Sequence, residues 1–336
     1  MITLSITLSG QCNLSCSYCY FKKNNISFTP ISLDNFFLEY QKFKSAIPDK
    51  ETIRIDFFGG EPLIHWDLIK LIINTLKDDG NDFLIPTNGL LLTADKIDFI
   101  NEHKIKISLS FDGLWQNNNR LTPKKEKTLS SLLKKKDLVF KINDCTIHTM
   151  ISGECNNLLE NHLYILDVFG ISPGMELIKD IGAWSRSDVL LFNKGFSELI
   201  NWYILNVDNY PIPPIILHHL RDFIRAFAKK SNPTYCGAGK SHFSYLDGRI
   251  IPCFLLRNKD VIGQIPNYTN MTGCASCEII KFCRRGCLHE NINNKGPIAE
   301  LCLIYKHIYN DISRMVASLK DSSKFCDLIQ RELYDA

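Results

Sequence analysis

Three cysteines stand within eight residues near the start of the chain, in the segment GQCNLSCSYCYF. Cys12, Cys16 and Cys19 are spaced C-x3-C-x2-C. Thiolates are soft ligands that suit iron–sulfur clusters and zinc. Because structural zinc takes four protein ligands, three thiolates in one short loop leave one metal position open for another ligand. A zinc site completed by a distant residue and a set of buried free thiols are the alternatives.

A second group of seven cysteines lies between residues 236 and 302. Four of them are spaced C-x2-C-x5-C-x3-C in the segment CASCEIIKFCRRGC, two precede this segment and one follows it: Cys274, Cys277, Cys283 and Cys287, then Cys236, Cys253 and Cys302. A zinc ribbon built from the first four is the alternative. Cys145, Cys155 and Cys326 are expected to be partly buried free thiols, and Cys155 is the one to test as a distant ligand.

The composition is that of an ordinary globular enzyme. The chain has 336 residues, 45% of them hydrophobic, and a formal net charge of +3. This balance does not favour a nucleic-acid partner or a membrane surface. No apolar run approaches the roughly 20 residues that span a bilayer, and the N-terminus lacks the pattern of a signal peptide. We therefore expect a cytoplasmic protein, in which clustered cysteines serve metal or redox chemistry and not disulfides.

The elements that must position these cysteines alternate between strand and helix. Six strands are predicted, in the segments ITLSITL, TIRIDFFGG, DFLIPTNG, KIKISLSFDG, LVFKINDCTIHTM and GMELIKDIG. Helical spacing of apolar residues separates them, for example in HWDLIKLIINTLKDDG, TLSSLLKKKD and NNLLENHLYILDVFG. This alternation predicts a parallel α/β architecture, in which sites are built at the carboxyl ends of the strands.

The pattern changes after Asp180. Two long helices are predicted in SDVLLFNKGFSELINWYILNV and PIILHHLRDFIRAFAKK, and from Thr234 the sequence becomes rich in loops and cysteines. We place a domain boundary near residue 225. Residues 1–225 are then the α/β domain, and residues 226–336 are the cysteine-rich domain with a C-terminal helix.

The first cysteine loop resembles the defining motif of the radical S-adenosylmethionine (SAM) superfamily, C-x3-C-x-aromatic-C, with Tyr18 as the aromatic residue. The resemblance implies a partial (β/α)6 TIM-like barrel. It also implies a [4Fe-4S] cluster whose open iron is chelated by SAM. In that family the reduced cluster cleaves SAM to a 5′-deoxyadenosyl radical, which abstracts a substrate hydrogen. Tyr18 is expected to pack beside the cluster or the adenine.

Further segments fit the same resemblance. FFGGEP follows the second strand like the family's GGE motif, which holds the SAM amino group; PTNG follows the third strand, and SLSFDG the fourth. Turn chemistry alone also accounts for Thr-Asn-Gly and Asp-Gly, and a loop arginine is usually solvated. The SAM-binding residues implied in this way are Gly59, Gly60, Glu61, Thr87, Asn88, Ser110, Asp112 and Arg120, the last facing a carboxylate.

The seven C-terminal cysteines resemble a SPASM domain, an extension of radical SAM enzymes that carries two auxiliary [4Fe-4S] clusters. Carried over by position, one cluster takes Cys236, Cys253 and Cys287 and has an open iron, and the other takes Cys274, Cys277, Cys283 and Cys302. The implied cofactors are therefore SAM and three [4Fe-4S] clusters, one that binds SAM and two auxiliary.

Relatives with this layout modify peptides or proteins. We expect an oxidoreductase that matures a ribosomally synthesised peptide by a thioether, carbon–carbon or related crosslink. The alternatives are a small-molecule dehydrogenase, a formylglycine-forming sulfatase maturase, and a non-enzymatic metal-bearing scaffold or electron carrier. In the sulfatase branch an Asp follows the second SPASM cysteine, but here Phe254 stands there, which argues against that reaction.

The same expectation defines the partners. They are a peptide substrate and a low-potential electron donor of the flavodoxin or ferredoxin type, with no nucleic acid and no membrane. The cysteine loop starts at residue 12, so we expect no winged-helix-like recognition domain before it, and leader binding would need the barrel, the SPASM face or a separate protein. The general base is not identified: His65, His148, His242 and His289 are candidates by residue type alone.

Overall fold

The computed structural model describes residues 1–23, 31–48, 50–155, 157–228, 237–256, 274, 276–283 and 286–335. The chain divides into two compact units, neither of them continuous in sequence. Unit 1 comprises Met1–His148 with Gly237–Pro266, and unit 2 comprises Thr149–Cys236 with Asn267–Ala336. The predicted boundary near residue 225 stays a prediction. Among the described residues, every helix is too short or too polar to cross a membrane.

Eight strands form one sheet. They are β1 (Ile2–Thr7), β2 (Ile53–Phe58), β3 (Asp82–Thr87), β4 (Lys106–Ser110), β5 (Cys145–Ile151), β6 (Gly174–Leu177), β7 (His242–Leu246) and β8 (Arg249–Ile251). The strand order is β6-β5-β4-β3-β2-β1-β7-β8. Strands β1 to β5 pair in parallel with their neighbours, and β7 joins the outer side of β1, also in parallel. The six predicted strands are all present, which confirms the α/β class.

The register of the first two strands shows why this sheet has a core. Leu4 lies opposite Ile55 and Ile6 lies opposite Phe57. All four side chains are fully buried. Since side chains alternate between the two faces of a strand, the two-residue spacing sends both pairs to one face. Burying each such side chain contributes roughly 1.5–3 kcal/mol.

Thirteen helices accompany the strands within the described residues: α1 (Tyr20–Lys23), α2 (Leu33–Ser45), α3 (Trp66–Leu76), α4 (Ala94–Glu102), α5 (Gln116–Asn119), α6 (Leu129–Leu133), α7 (Lys136–Val139), α8 (Leu158–Phe169), α9 (Arg186–Asn206), α10 (Pro214–Phe227), α11 (Leu288–Asn293), α12 (Ala299–Ser318) and α13 (Ser323–Asp335). The cysteine-rich region therefore ends in two helices where the sequence predicted one.

The predicted strand LVFKINDCTIHTM begins later than expected. Its first residues complete α7, and the strand starts at Cys145. The side chain of Asn101 explains the delay, since its amide donates to Lys141 O (2.7 Å) and its carbonyl accepts from Asn143 N (2.9 Å). These bonds hold residues 141–143 as a loop. The predicted helix TLSSLLKKKD is correspondingly split into the short helices α6 and α7.

The hairpin of β7 and β8 was missed in a region that we expected to be loops. Its two strands pair antiparallel and are joined by Asp247 and Gly248. Both turn residues have positive φ, 50° and 79°. An Asp-Gly pair between apolar runs is a strong hairpin signal because this turn needs positive φ at both positions. The signal was therefore present in YLDGRII.

Helices α9 and α12 pack together in unit 2, and a polar cluster ties them. Ser197 Oγ donates to Asp311 Oδ2 (2.6 Å) and lies 2.9 Å from His307 Nε2. The same imidazole nitrogen also lies 3.2 Å from Asp311. A hydrolase triad needs the two different nitrogens of the imidazole for the serine and the aspartate. This cluster is therefore a link between helices.

Candidate functional site

The first cysteine loop follows β1 in unit 1 and brings its three thiols together. Cys12, Cys16 and Cys19 are all half-buried. Burial raises the pKa of the Cys12 thiol and raises that of Cys16 to about 11, and in each case the neighbouring thiols add to the rise. Three thiols that disfavour one another's negative charge fit a shared cation, because metal binding displaces their protons. The loop is thus suited to an iron–sulfur cluster.

The GGE segment touches this loop through its backbone. Gly60 N donates to Ser9 O (2.9 Å), and Glu61 N donates to Gln11 O (2.8 Å). A Cβ added to Gly59 would lie 2.5 Å from Ser9 O, and Gly59 has a φ of +146°. Both glycines are therefore required by the close approach of two protein backbones.

Glu61 ties two loops of the site together. Its carboxylate is 2% exposed and accepts from Leu63 N (3.1 Å), Thr87 Oγ1 (2.6 Å) and Asn88 N (2.9 Å). Burial raises the pKa of Glu61, and these hydrogen bonds oppose the rise. The carboxylate therefore has a structural task that sequence reasoning did not identify. Its predicted contact with the SAM amino group stays a prediction.

The TNG turn after β3 is tied to the cysteine loop as well. Asn88 Nδ2 donates to Asn13 Oδ1 (2.8 Å), and Thr87 Oγ1 accepts from Gly89 N (3.1 Å). Asn13 was not predicted, although its place directly after Cys12 was a signal for it. The loops after β1, β2 and β3 therefore form one hydrogen-bonded network.

A buried ion pair stands beside the cysteine loop. Asp112 is fully buried and Arg120 is 6% exposed. Arg120 Nε lies 3.0 Å from Asp112 Oδ2, and Tyr18 OH donates to the same oxygen (2.5 Å). The guanidinium also lies over the Tyr18 ring, 5.4 Å from its centre. Arg120 does face a carboxylate, but the one identified here belongs to the protein.

The backbone around Arg120 holds the cysteine loop from the other side. Ser15 N donates to Leu121 O (2.7 Å), and Ser17 N donates to Asn119 O (2.9 Å). Ser110 is half-buried at the carboxyl end of β4. The predicted SAM-binding residues of unit 1 thus belong to the loops after β1 to β4.

The candidate histidines do not form a group. His65 Nε2 lies 2.5 Å from Ser9 Oγ, at the start of the cysteine loop. His148 is on β5 and His242 on β7, whereas His289 lies 2.9 Å from Asn293 Nδ2 on α11. His65 is therefore the candidate nearest the cysteine loop along the contacts above.

Unit 2 contains a second cysteine site. Its pocket has about 550 Å³ of empty space and is lined by four cysteines and by apolar side chains, among them Cys274, Cys277, Cys283, Cys302, Ile298 and Tyr305. Burial raises the pKa of the Cys302 thiol, and Cys274 and Cys277 add to the rise. The structure therefore brings together the four cysteines that were predicted to share one auxiliary cluster. Four thiols also suit zinc.

The other auxiliary set stays a prediction. Cys236 lies outside the described residues. Cys253 precedes Phe254, whose ring lies 5.1 Å from Tyr20 and 5.7 Å from Phe21, and Cys287 is the N-cap of α11. An aromatic cluster therefore fills the position after Cys253.

The three remaining cysteines lie apart from these sets along the fold. Cys145 is half-buried on β5, Cys155 is 2% exposed with Ser152 Oγ 3.4 Å away, and Cys326 donates to Lys320 O (3.2 Å). None of them lines the four-cysteine pocket as described.

Residues 6–162 match the family model of the Radical SAM superfamily. The chain is 24% identical over 327 residues to the radical SAM cyclopropyl synthase TigE of Paramaledivibacter caminithermalis, covering 89% of this chain and 67% of TigE. It is 26% identical over 281 residues to an uncharacterized protein of Methanocaldococcus jannaschii, covering 78% and 88%.

Solved structures share the fold. A structure of anSMEcpe with bound AdoMet has a TM-score of 0.76 at 17% identity, over 99% of this chain and 98% of that one. Streptococcus suis SuiB bound to its precursor peptide SuiA has a TM-score of 0.60 at 17% identity, over 88% and 74%. The fold and the cysteine loop thus define a radical SAM architecture. The chain is a radical SAM enzyme, with residues 6–162 as its radical SAM domain and with SAM and a [4Fe-4S] cluster as cofactors.

Proposed function

We propose that this radical SAM enzyme modifies a ribosomally synthesised peptide, forming a thioether, carbon–carbon or related crosslink. The observation that carries the proposal is the pairing of two cysteine sites in one chain: the three-cysteine loop of unit 1 and the four-cysteine pocket of unit 2. The names of the relatives support it, since TigE is a cyclopropyl synthase and SuiB binds a precursor peptide.

In unit 1, Cys12, Cys16 and Cys19 would hold the SAM-binding cluster. When bound, cluster and SAM together supply the radical that abstracts hydrogen from the substrate. The protein's own contribution is to position and to exclude water. The buried pair of Asp112 and Arg120 backs Tyr18 and keeps solvent from one side of the loop.

The SAM contacts that we propose lie on the loops tied to the cysteine loop: Gly59, Gly60, Glu61, Thr87, Asn88, Ser110, Asp112 and Arg120. Glu61 already accepts three protein hydrogen bonds. We infer that it acts on SAM chiefly by fixing the backbone of Gly59 and Gly60. Preorganised loops of this kind lower the entropic cost of binding.

In unit 2, Cys274, Cys277, Cys283 and Cys302 would hold one auxiliary [4Fe-4S] cluster of a SPASM domain. Cys236, Cys253 and Cys287 would hold the other. Auxiliary clusters supply a site for the electron released on substrate oxidation or for the substrate itself. Three clusters imply about twelve irons per chain. A flavodoxin- or ferredoxin-type donor, and a separate leader-binding protein, complete the proposal.

The alternatives are weaker on named residues. A formylglycine-forming reaction would need a carboxylate after Cys253, and Phe254 instead packs on Tyr20 and Phe21. A dehydrogenase acting on a small alcohol, amine or sugar remains the second candidate, because the cofactor chemistry is the same. The substrate therefore decides between the two enzymatic hypotheses.

The test is a mass measurement. Reduced, cluster-loaded enzyme is incubated with SAM and the peptide encoded beside its gene, and we expect the peptide to lose mass in steps of two hydrogens. Cys16→Ala should abolish SAM cleavage. Cys277→Ala should leave SAM cleavage while ending peptide modification. Cys145→Ala, at a half-buried cysteine outside both sets, is the control and should behave as wild type.

Two outcomes contradict the proposal in different ways. SAM cleavage without any change in the peptide refutes peptide maturation and favours the small-molecule hypothesis. Zinc in place of iron in the four-cysteine pocket, measured by metal and sulfide analysis of anaerobically purified protein, refutes the auxiliary cluster while leaving the radical SAM assignment intact.

A further inference from the structure

Helix α10 presents three metal-ligating side chains that the proposed function does not use. His218, His219 and Asp222 each offer one ligand atom, and these atoms lie within 4.8 Å of one another. His218 is exposed, whereas His219 and Asp222 are 6% and 2% exposed. The group therefore joins a solvent-accessible imidazole to a buried imidazole and a buried carboxylate.

The donor types and their spacing suit a divalent transition metal. Neutral imidazole nitrogen and carboxylate oxygen are the ligands that zinc takes at about 2.0–2.2 Å, so two donors on one ion stand at most about 4.4 Å apart. His218 and Asp222 are four residues apart and share one helix face. Because His218 is exposed, a small rotation of its side chain closes the remaining gap.

The charges around Asp222 leave room for such an ion. Arg225 Nη1 lies 3.5 Å from Asp222 Oδ1, and His218 Nε2 lies 3.8 Å from Asp222 Oδ2. Both distances exceed those of strong charge-assisted hydrogen bonds, about 2.7–2.9 Å. The Arg225 side chain is 38% exposed, so it can turn into solvent when a divalent ion takes its place beside the carboxylate.

The aromatic surroundings hold His219 in position. Its ring lies 6.3 Å from Phe196, 6.1 Å from Phe282 and 6.1 Å from Tyr305. Packed ligands of this kind bind metals more tightly because less rotamer freedom is lost. Tyr305 also lines the four-cysteine pocket, so an ion on α10 would lie within the packing around that pocket.

We propose that His218, His219 and Asp222 bind one zinc-class divalent ion that braces α10 against the aromatic side chains beside the four-cysteine pocket. The competing explanation is a plain His–Asp pair on one helix face, which needs no metal. The proposal is independent of the substrate and of the number of clusters, because its readout is zinc uptake.

The test titrates zinc chloride anaerobically into the full, cluster-loaded chain without a histidine tag. Calorimetry should show one equivalent of zinc bound. His218→Gln and Asp222→Asn should each weaken binding at least tenfold, since even the loss of a group that supports a ligand costs 10- to 100-fold. His242→Gln, at an exposed histidine on β7, is the matched control and should leave zinc affinity unchanged.

A second variant separates the metal site from the ion pair. Arg225→Gln removes the competing cation from Asp222, so zinc should bind more tightly and raise the thermal midpoint more than in wild type. Equal zinc uptake by wild type, His218→Gln and Asp222→Asn overturns the proposal, as does the lack of any zinc uptake by wild type. His218 is exposed, so its variant keeps the test valid even if Asp222→Asn fails to fold.

Discussion

Gly60→Ala should disable the cysteine loop without unfolding unit 2. A Cβ at this position would lie 2.5 Å from the Gln11 carbonyl carbon, 2.8 Å from Gly10 O, and closer still to Gln11 O. All three atoms belong to the backbone of the cysteine loop, so no side chain can move aside. The loop must shift away from the GGE segment, and the hydrogen bonds from Gly60 N and Glu61 N are strained or lost.

The expected cost follows from these contacts. Two hydrogen bonds contribute about 1 kcal/mol each, and overpacking against a rigid neighbour costs about 1–3 kcal/mol. The variant should therefore lose about 3–5 kcal/mol of local stability. We expect about four fewer irons per chain, because the SAM-binding cluster fails to load, and SAM cleavage at least a hundredfold slower, as about 2.7 kcal/mol of lost positioning implies.

The assay measures iron, sulfide and SAM cleavage in reconstituted protein. Gly296→Ala is the matched control, because a Cβ there meets nothing within 4 Å and no positive φ adds strain. If Gly60→Ala retains its iron and cleaves SAM within twofold of the wild-type rate, the close backbone approach does not govern the site and the reasoning is refuted.

Three further predictions concern stability. Asp112→Asn leaves the buried Arg120 without its counter-charge and should cost about 3–5 kcal/mol in urea unfolding, against about 1 kcal/mol for Tyr18→Phe; equal effects would contradict the role of the ion pair. Ser185→Ala removes the capping box at the start of α9 and should cost about 1 kcal/mol, seen as a lower thermal midpoint, while an unchanged midpoint would show that the cap contributes nothing. Burial lowers the pKa of His162 to about 4 from about 6.5 in the unfolded chain, so its neutral form stabilises the fold above pH 6.5; up to about 3 kcal/mol is lost as the pH falls from 6.5 to 4, and His162→Gln should flatten urea stability across that window.

The alternation of strands and helices could be read from the sequence because it depends on local periodicity. All six predicted strands are present, and β1 to β4 lie within their predicted segments. The failures were also local in cause. The strand LVFKINDCTIHTM started late because the Asn101 side chain holds residues 141–143, and that bond reaches across 40 residues. The β7–β8 hairpin was missed although Asp247 and Gly248 carry its turn signal.

The site was predicted in its parts but not in its connections. The spacing of Cys12, Cys16 and Cys19 marked the metal loop, and the spacing of the later cysteines marked four that line one pocket. Sequence reasoning could not assign Glu61 to Thr87 and Asn88, nor find Asn13, because a hydrogen bond between loops depends on which strands are neighbours.

Residue types and short spacings therefore determined the class of chemistry, since ligand softness and motif spacing are properties of a few adjacent residues. The tertiary structure decided which charges meet. Tyr18 and Asp112 are separated by 94 residues, and they lie together because the parallel order of β1 to β4 places the ends of these strands along one edge. Burial at that edge turned a loop arginine, expected in solvent, into the partner of Asp112.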